Sequence, residues 1–151
     1  MLVVCLSNYF PRLDASNHTI TSPQSSEYNC IAWAAGRHPQ DEEWWWPVPE
    51  DEPQLFWPDG VSRVVSIESF VNAFTTLGYR ECVSGEFEED LEKVALYAID
   101  DRPTHMARQL DDGSWTSKLG ELEDICHKTL DLLEGDYYGR VQVFMCRPRC
   151  K

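Results

Sequence analysis

The stretch from Arg37 to Gly60 limits what this chain can fold into more than any other. It carries Pro39, Pro47, Pro49, Pro53 and Pro58, interleaved with the Trp44-Trp45-Trp46 run and Trp57. Proline lacks a backbone N–H and its ring fixes φ, so neither a regular helix nor a central strand can run through such a segment. The core must be built on either side of it, with residues 37–60 serving as a long irregular strap. Loops of this length are uncommon inside a compact domain and often functional. The tryptophans have two readings. They pack the strap onto the helices beneath, or, beside Asp41, Glu42, Glu43, Glu50, Asp51 and Glu52, they line a groove for a peptide or a sugar.

The remainder suits one domain over residues 1–151. Its 42% hydrophobic and 12% aromatic content is enough for a real core. The 26 acids against 13 bases give a formal net charge of −13. That balance excludes a sequence-independent grip on nucleic acid, where Lys and Arg must displace counterions, and a polybasic hold on anionic lipid. Leu2-Val3-Val4-Cys5-Leu6 is too short to span a bilayer and lacks the flanks of a cleaved signal. The irregular spacing of Cys5, Cys30, Cys82, Cys126, Cys146 and Cys150 reads as reduced thiols in a cytoplasmic protein, with export without a cleaved signal still open.

Residues 1–24 read as an irregular arm with at most one strand, at its start. A short helix is expected over Glu27 to Ala35, capped by Ser25 or Ser26 and closed by Gly36. Ser66 caps an amphipathic helix in which Ile67, Phe70, Val71, Phe74 and Leu77 share one face, and Gly78 ends it. A strand follows near Tyr79 to Val83. Lys93 to Ile99 is apolar on both faces, as a central strand is. Thr104–Leu110 and Ser114–Lys118 flank Asp111-Asp112-Gly113, a hairpin signal. A brief helix over Glu121 to His127 and a last strand over Gly139 to Cys146 complete an α+β domain with a small antiparallel sheet.

Two residues invite chemistry. Cys30 falls in the first turn and a half of the expected helix, where free N–H groups favour a thiolate; the plain alternative is a small hydrophobe facing the core. His105 opens a strand just after Pro103, where a neutral imidazole can take the thiol proton, or simply make a structural hydrogen bond. His127, at the end of the brief helix, is favourable there for structural reasons alone. Cys126-His127 with Cys146 and Cys150 lacks the paired ligand spacing of a zinc site, so no metal and no cofactor are expected.

A Cys on a helix N-terminus followed by a strand-opening His resembles the papain-like thiol hydrolases, including small bacterial cell-wall amidases and endopeptidases. YNCIAWAAG (residues 28–36), WWWP, HMARQLDDGSWTSKLG (residues 105–120) and DICH also resemble an uncharacterised family of bacterial domains. The resemblance covers most of the chain from Tyr28 to Pro148. It implies a papain-like fold, with a nucleophile helix packed on a small antiparallel sheet and Cys30 facing His105. It further implies that Gln24, six residues before Cys30, supplies an oxyanion donor beside Asn29. The residue that orients His105 is Ser117, about twelve positions after it, or Asp124. A two-residue Asp112-Gly113 turn would put Thr116 and Lys118 on the His105 face, whereas a three-residue loop with Gly113 left-handed would bring Ser117 round.

Two functions follow. One is a cysteine hydrolase or acyl-transfer enzyme acting on an amide, peptide or thioester. The other is an inert binding module whose acidic surface meets a basic protein partner. No Lys or Arg lies between His38 and Ser62, so a strap bordering the site would favour cationic substrates and disfavour the thiolate.

Overall fold

Every helix but one expected from the sequence is shorter than expected or absent, and the sheet takes up the difference. The computed structural model describes residues 6–22, 28–36, 44–47, 55–119 and 122–149. In chain order these form a 3-10 turn (Leu6–Asn8), β1 (His18–Ser22), α1 (Cys30–Ala34), β2 (Trp44–Trp45), β3 (Leu55–Phe56), α2 (Ile67–Thr75), β4 (Arg80–Cys82), β5 (Leu91–Ile99), β6 (Arg102–Gln109), β7 (Trp115–Lys118), β8 (Asp124–His127), a second 3-10 turn (Leu130–Leu133) and β9 (Arg140–Pro148). Seven strands make one antiparallel sheet in the order β1-β8-β7-β6-β5-β9-β4. β2 and β3 form a separate two-residue parallel pair.

This architecture corrects the expected papain-like α+β fold. A seven-stranded antiparallel sheet dominates, and the helices have five and nine residues. The helix expected over Glu121 to His127 is instead strand β8, and the arm supplies β1 to pair with it, Ile20 opposite Ile125. Lys118 pairs with Asp124, so the chain turns straight back from β7 into β8. Ile125, fully buried between two partner strands, is held there by packing that overrides a weak local helix preference.

β5 lies centrally because both its faces are apolar. Successive strand residues point to opposite sides. Val94 and Leu96 meet Met106, Met145, Ile31, Phe70 and Phe74 on the helical face. Ala95 and Tyr97 meet Ala107, Ile125, Leu133, Tyr138 and Phe10 on the other. The helical face is covered by α1, α2 and the described strap residues, and the second face by the N-terminal segment and the Leu130–Leu133 turn.

The strap packs inward where it is described. Trp45 and Trp57 are each 2% exposed, and the Trp46 and Trp57 rings lie 5.4 and 5.1 Å from Phe70. Its two acid clusters fall outside the described residues. α2 follows its sequence signals: Ser66 Oγ accepts the Ser69 N–H at 3.2 Å, and Gly78 takes φ +91° just beyond the helix. Replacing Ser66 with Ala is expected to cost about 1 kcal/mol of unfolding free energy, readable from urea midpoints.

α1 starts later than expected, because Asn29 caps it. Its Oδ1 accepts from Ala32 N at 3.1 Å and from Trp45 N at 3.0 Å, while Nδ2 donates to the Trp45 carbonyl at 2.8 Å. Cys30 is thereby the first residue of α1. Ser25 and Ser26, the expected caps, lie outside the described residues. No helix among the described residues is long and apolar enough to cross a membrane.

Candidate functional site

The β6–β7 hairpin decides which side chains can meet. Leu110 N donates to Ser114 O at 2.7 Å, Gly113 N donates to Leu110 O at 3.0 Å, and Gly113 has φ +89°. This is the three-residue loop, and it brings Ser117 to the His105 side of the sheet. Pairing between β6 and β7 covers only Arg108↔Thr116 and Gln109↔Trp115, so the two strands part beyond that point.

His105 sits at this split, fully buried. Tyr97 is its cross-strand partner, and its ring stacks on Tyr138 at 4.2 Å with an 8° interplanar angle. Its Nε2 lies 2.9 Å from Ser117 Oγ, which lies 2.8 Å from His127 Nε2, while His127 Nδ1 lies 2.9 Å from the Thr129 carbonyl. His105 Nδ1 is buried with no hydrogen-bond partner. Burial, and secondarily the nearby His127, holds His105 well below the ordinary histidine value. Burial pushes His127 down to about 4 despite its bond to the Thr129 carbonyl. Both rings are therefore neutral at pH 7.

Cys30 approaches the split from the helical face. It is 7% exposed, and burial pushes its thiol up to about 11. Opposing that shift are the backbone N–H of Met106, the N–H groups of Cys30 and Ile31, and the Lys118 ammonium. Tyr138 ties the two sides together: stacked on His105, its phenol is held well above the ordinary value by burial first and by Cys30 second. No hydrogen bond joins Cys30 to His105 among the described residues.

The other expected site residues divide. Ser117 meets His105, whereas Asp124 does not serve it. Asp124 lies on strand β8 and accepts the Tyr28 hydroxyl at 2.5 Å, with Lys118 over the Tyr28 ring at 5.3 Å. Burial raises the Asp124 carboxyl, against the pull of that hydrogen bond. Asn29 spends its side chain on capping α1 and holding Trp45. Gln24 lies outside the described residues.

His127, Tyr138 and Tyr97 are additions that the sequence reading missed. His127 was hidden by its placement on a helix; read as a strand, Asp124–His127 puts it on the same side as Ile125. Cys30, Cys82, Cys126 and Cys146 are free thiols. Among the described residues no group of three or more His, Cys, Asp or Glu is placed to hold a metal ion.

Comparison with known proteins gives one match: residues 19–146 fit the family described as a domain of unknown function, DUF7689. No curated protein and no solved structure matches the chain. The matched span runs from Thr19 in β1 to Cys146 in β9, including Cys30, His105, Ser117 and His127. The chain belongs to the DUF7689 family.

Proposed function

We propose that this domain is a cysteine hydrolase or acyl-transfer enzyme in which Cys30 attacks an amide or thioester carbonyl and His105 takes the thiol proton at Nδ1. One observation carries the reading: a fully buried histidine has one nitrogen tied to Ser117 and the other left without a partner, and it stacks on Tyr138, whose phenol feels the free thiol of Cys30 at the start of α1. A buried imidazole nitrogen without a partner is costly and uncommon, and such exceptions gather at reactive sites.

The electrostatics favour one form of the mechanism. A thiol pushed up to about 11 and a histidine held well below its ordinary value do not exchange a proton in the resting protein. The proton therefore moves from Sγ to Nδ1 as the S–C bond forms, by general-base catalysis, and Nδ1 returns it to the leaving nitrogen or sulfur. The backbone N–H of Met106 faces the sulfur, and with the N–H of Cys30 it is the nearest donor for the charge that develops. A cytoplasmic setting, where thiols stay reduced, suits this chemistry.

The test is acylation by a small neutral thioester, located by peptide mass spectrometry. Wild type is expected to carry the acyl group on Cys30, and His105→Ala to acquire it about 100-fold more slowly. Labelling of Cys30 no faster than of the half-buried Cys82 would overturn the reading. A second reading, a binding module for a basic protein partner with Cys30 inert, draws on the missing Cys30–His105 hydrogen bond and the net charge of −13. The same experiment separates the two.

A further inference from the structure

We infer that His127, two strands away, determines which nitrogen of His105 carries the proton and so acts as a positioning residue for the site. This rests on the reading of His105 as the base. The chain of contacts has one fixed end. A carbonyl can only accept, so at 2.9 Å from Thr129 O the Nδ1 of His127 must donate. A neutral imidazole has a single N–H, which leaves His127 Nε2 as an acceptor.

The Ser117 hydroxyl therefore donates to His127 Nε2, across 2.8 Å. Its oxygen is then left to accept from His105 Nε2 at 2.9 Å, and His105 Nδ1 keeps a bare lone pair. Reversing any one bond would set two acceptors or two donors against each other. The direction is imposed from the Thr129 end, by a main-chain group that cannot change roles.

This accounts for a serine in the orienting position. A hydroxyl alone fixes nothing about an imidazole, because it can rotate to donate or accept. With His127 taking its proton, Ser117 becomes a one-way acceptor toward His105. The His105 ring also stacks on Tyr138 and meets Tyr97 at a tilt, contacts that hold its plane but are indifferent to its tautomer.

The experiment is two-bond proton–nitrogen NMR of the histidine rings at pH 7.5, on wild type, His127→Phe, His127→Gln and Ser117→Ala. Wild type is expected to show His127 protonated at Nδ1 and His105 at Nε2. His127→Phe and Ser117→Ala are expected to lose the single Nε2–H form of His105. His127→Gln, whose amide oxygen can accept from Ser117, is expected to restore it. Resolved amide signals of α2, on the other face of the sheet, report that each variant is folded.

His105 protonated at Nδ1 in wild type overturns the inference whatever the variants do. So does an undiminished Nε2–H form in folded His127→Phe or Ser117→Ala. Thioester labelling of Cys30 is expected to fall about tenfold in His127→Phe, the lower end of what outer partners of a functional histidine contribute, and to recover in His127→Gln. If wild-type Cys30 is never labelled while the tautomers behave as stated, the acyl-transfer reading fails and the role of His127 stands.

Discussion

Acidification from pH 7 to pH 4 is expected to remove roughly 3 kcal/mol of stability through His127 alone. Its value falls from 6.5 to about 4 on burial, so the unfolded chain binds a proton that the folded one refuses. Stability is full above pH 6.5 and drains away as pH falls through that value toward 4. His105, held down by the same burial, adds a loss of the same sign. Two other effects oppose it. Asp124 is raised in the folded state, so it gains stability as pH falls, and neutralising a chain of net charge −13 relieves self-repulsion. The hydrogen-bonded carboxylates of Asp14 and Asp112 add a loss of the same sign as the histidines near the acid end, so the part of the decline that a His127 variant removes is the mark of the buried histidine. Urea midpoints at unit steps of pH measure it, and His127→Gln is expected to flatten the fall. A His127→Gln variant whose stability falls as steeply with acid as that of wild type would contradict the neutral, enclosed site.

Gly139→Ala is expected to destabilise the protein by about 3 kcal/mol, combining left-handed strain with overpacking. Gly139 has φ +76° and exchanges both backbone hydrogen bonds with Gly135, at 2.8 and 3.0 Å. A Cβ there would stand far inside the contact distance of the Ala98 carbonyl oxygen and 2.6 Å from Ile99 Cγ1. Backbone cannot yield as a flexible side chain can. The damage reaches the site, because the neighbouring Tyr138 is the ring stacked on His105. Gly60→Ala is the control: its φ is +81° with nothing within 4 Å, so only the strain of about 1 kcal/mol applies. Thermal or urea unfolding of both variants decides, and equal losses would refute the close approach at Gly139.

The legible parts of this fold were those whose signals are local. α2 was readable from a cap, a spacing and a closing glycine. β5 was readable from its two apolar faces, and the loop at Asp111–Gly113 from its turn residues. The loop also made Ser117 reachable, once its length was known. β8 was opaque. Four residues, Asp-Ile-Cys-His, carry too little pattern to separate a strand from a helix turn, and their partner β1 lies about a hundred residues earlier. Misreading β8 had two consequences. It removed a strand from the expected sheet and helped sustain the papain-like expectation, and it hid His127 behind a helix-end explanation. Asp124 rivals Ser117 only while β8 is read as a helix, since strand alternation turns it toward Tyr28.

The sheet order has a consequence for how the chain is made. Among the described residues β1 pairs only with β8, and β4 only with β9. β5 waits for β9 on one side as well. When synthesis has reached Gln109, only the β5–β6 hairpin of this sheet has both its strands, while β1 and β4 have none of their partners. Long-range pairing of this kind is slow, and an open strand edge is a template for aggregation. The domain locks only when its last strand arrives, so a ribosome that stalls between β8 and β9 leaves β5 with one side unpaired. The interval before β9 is made is therefore the one in which this sheet offers an open edge.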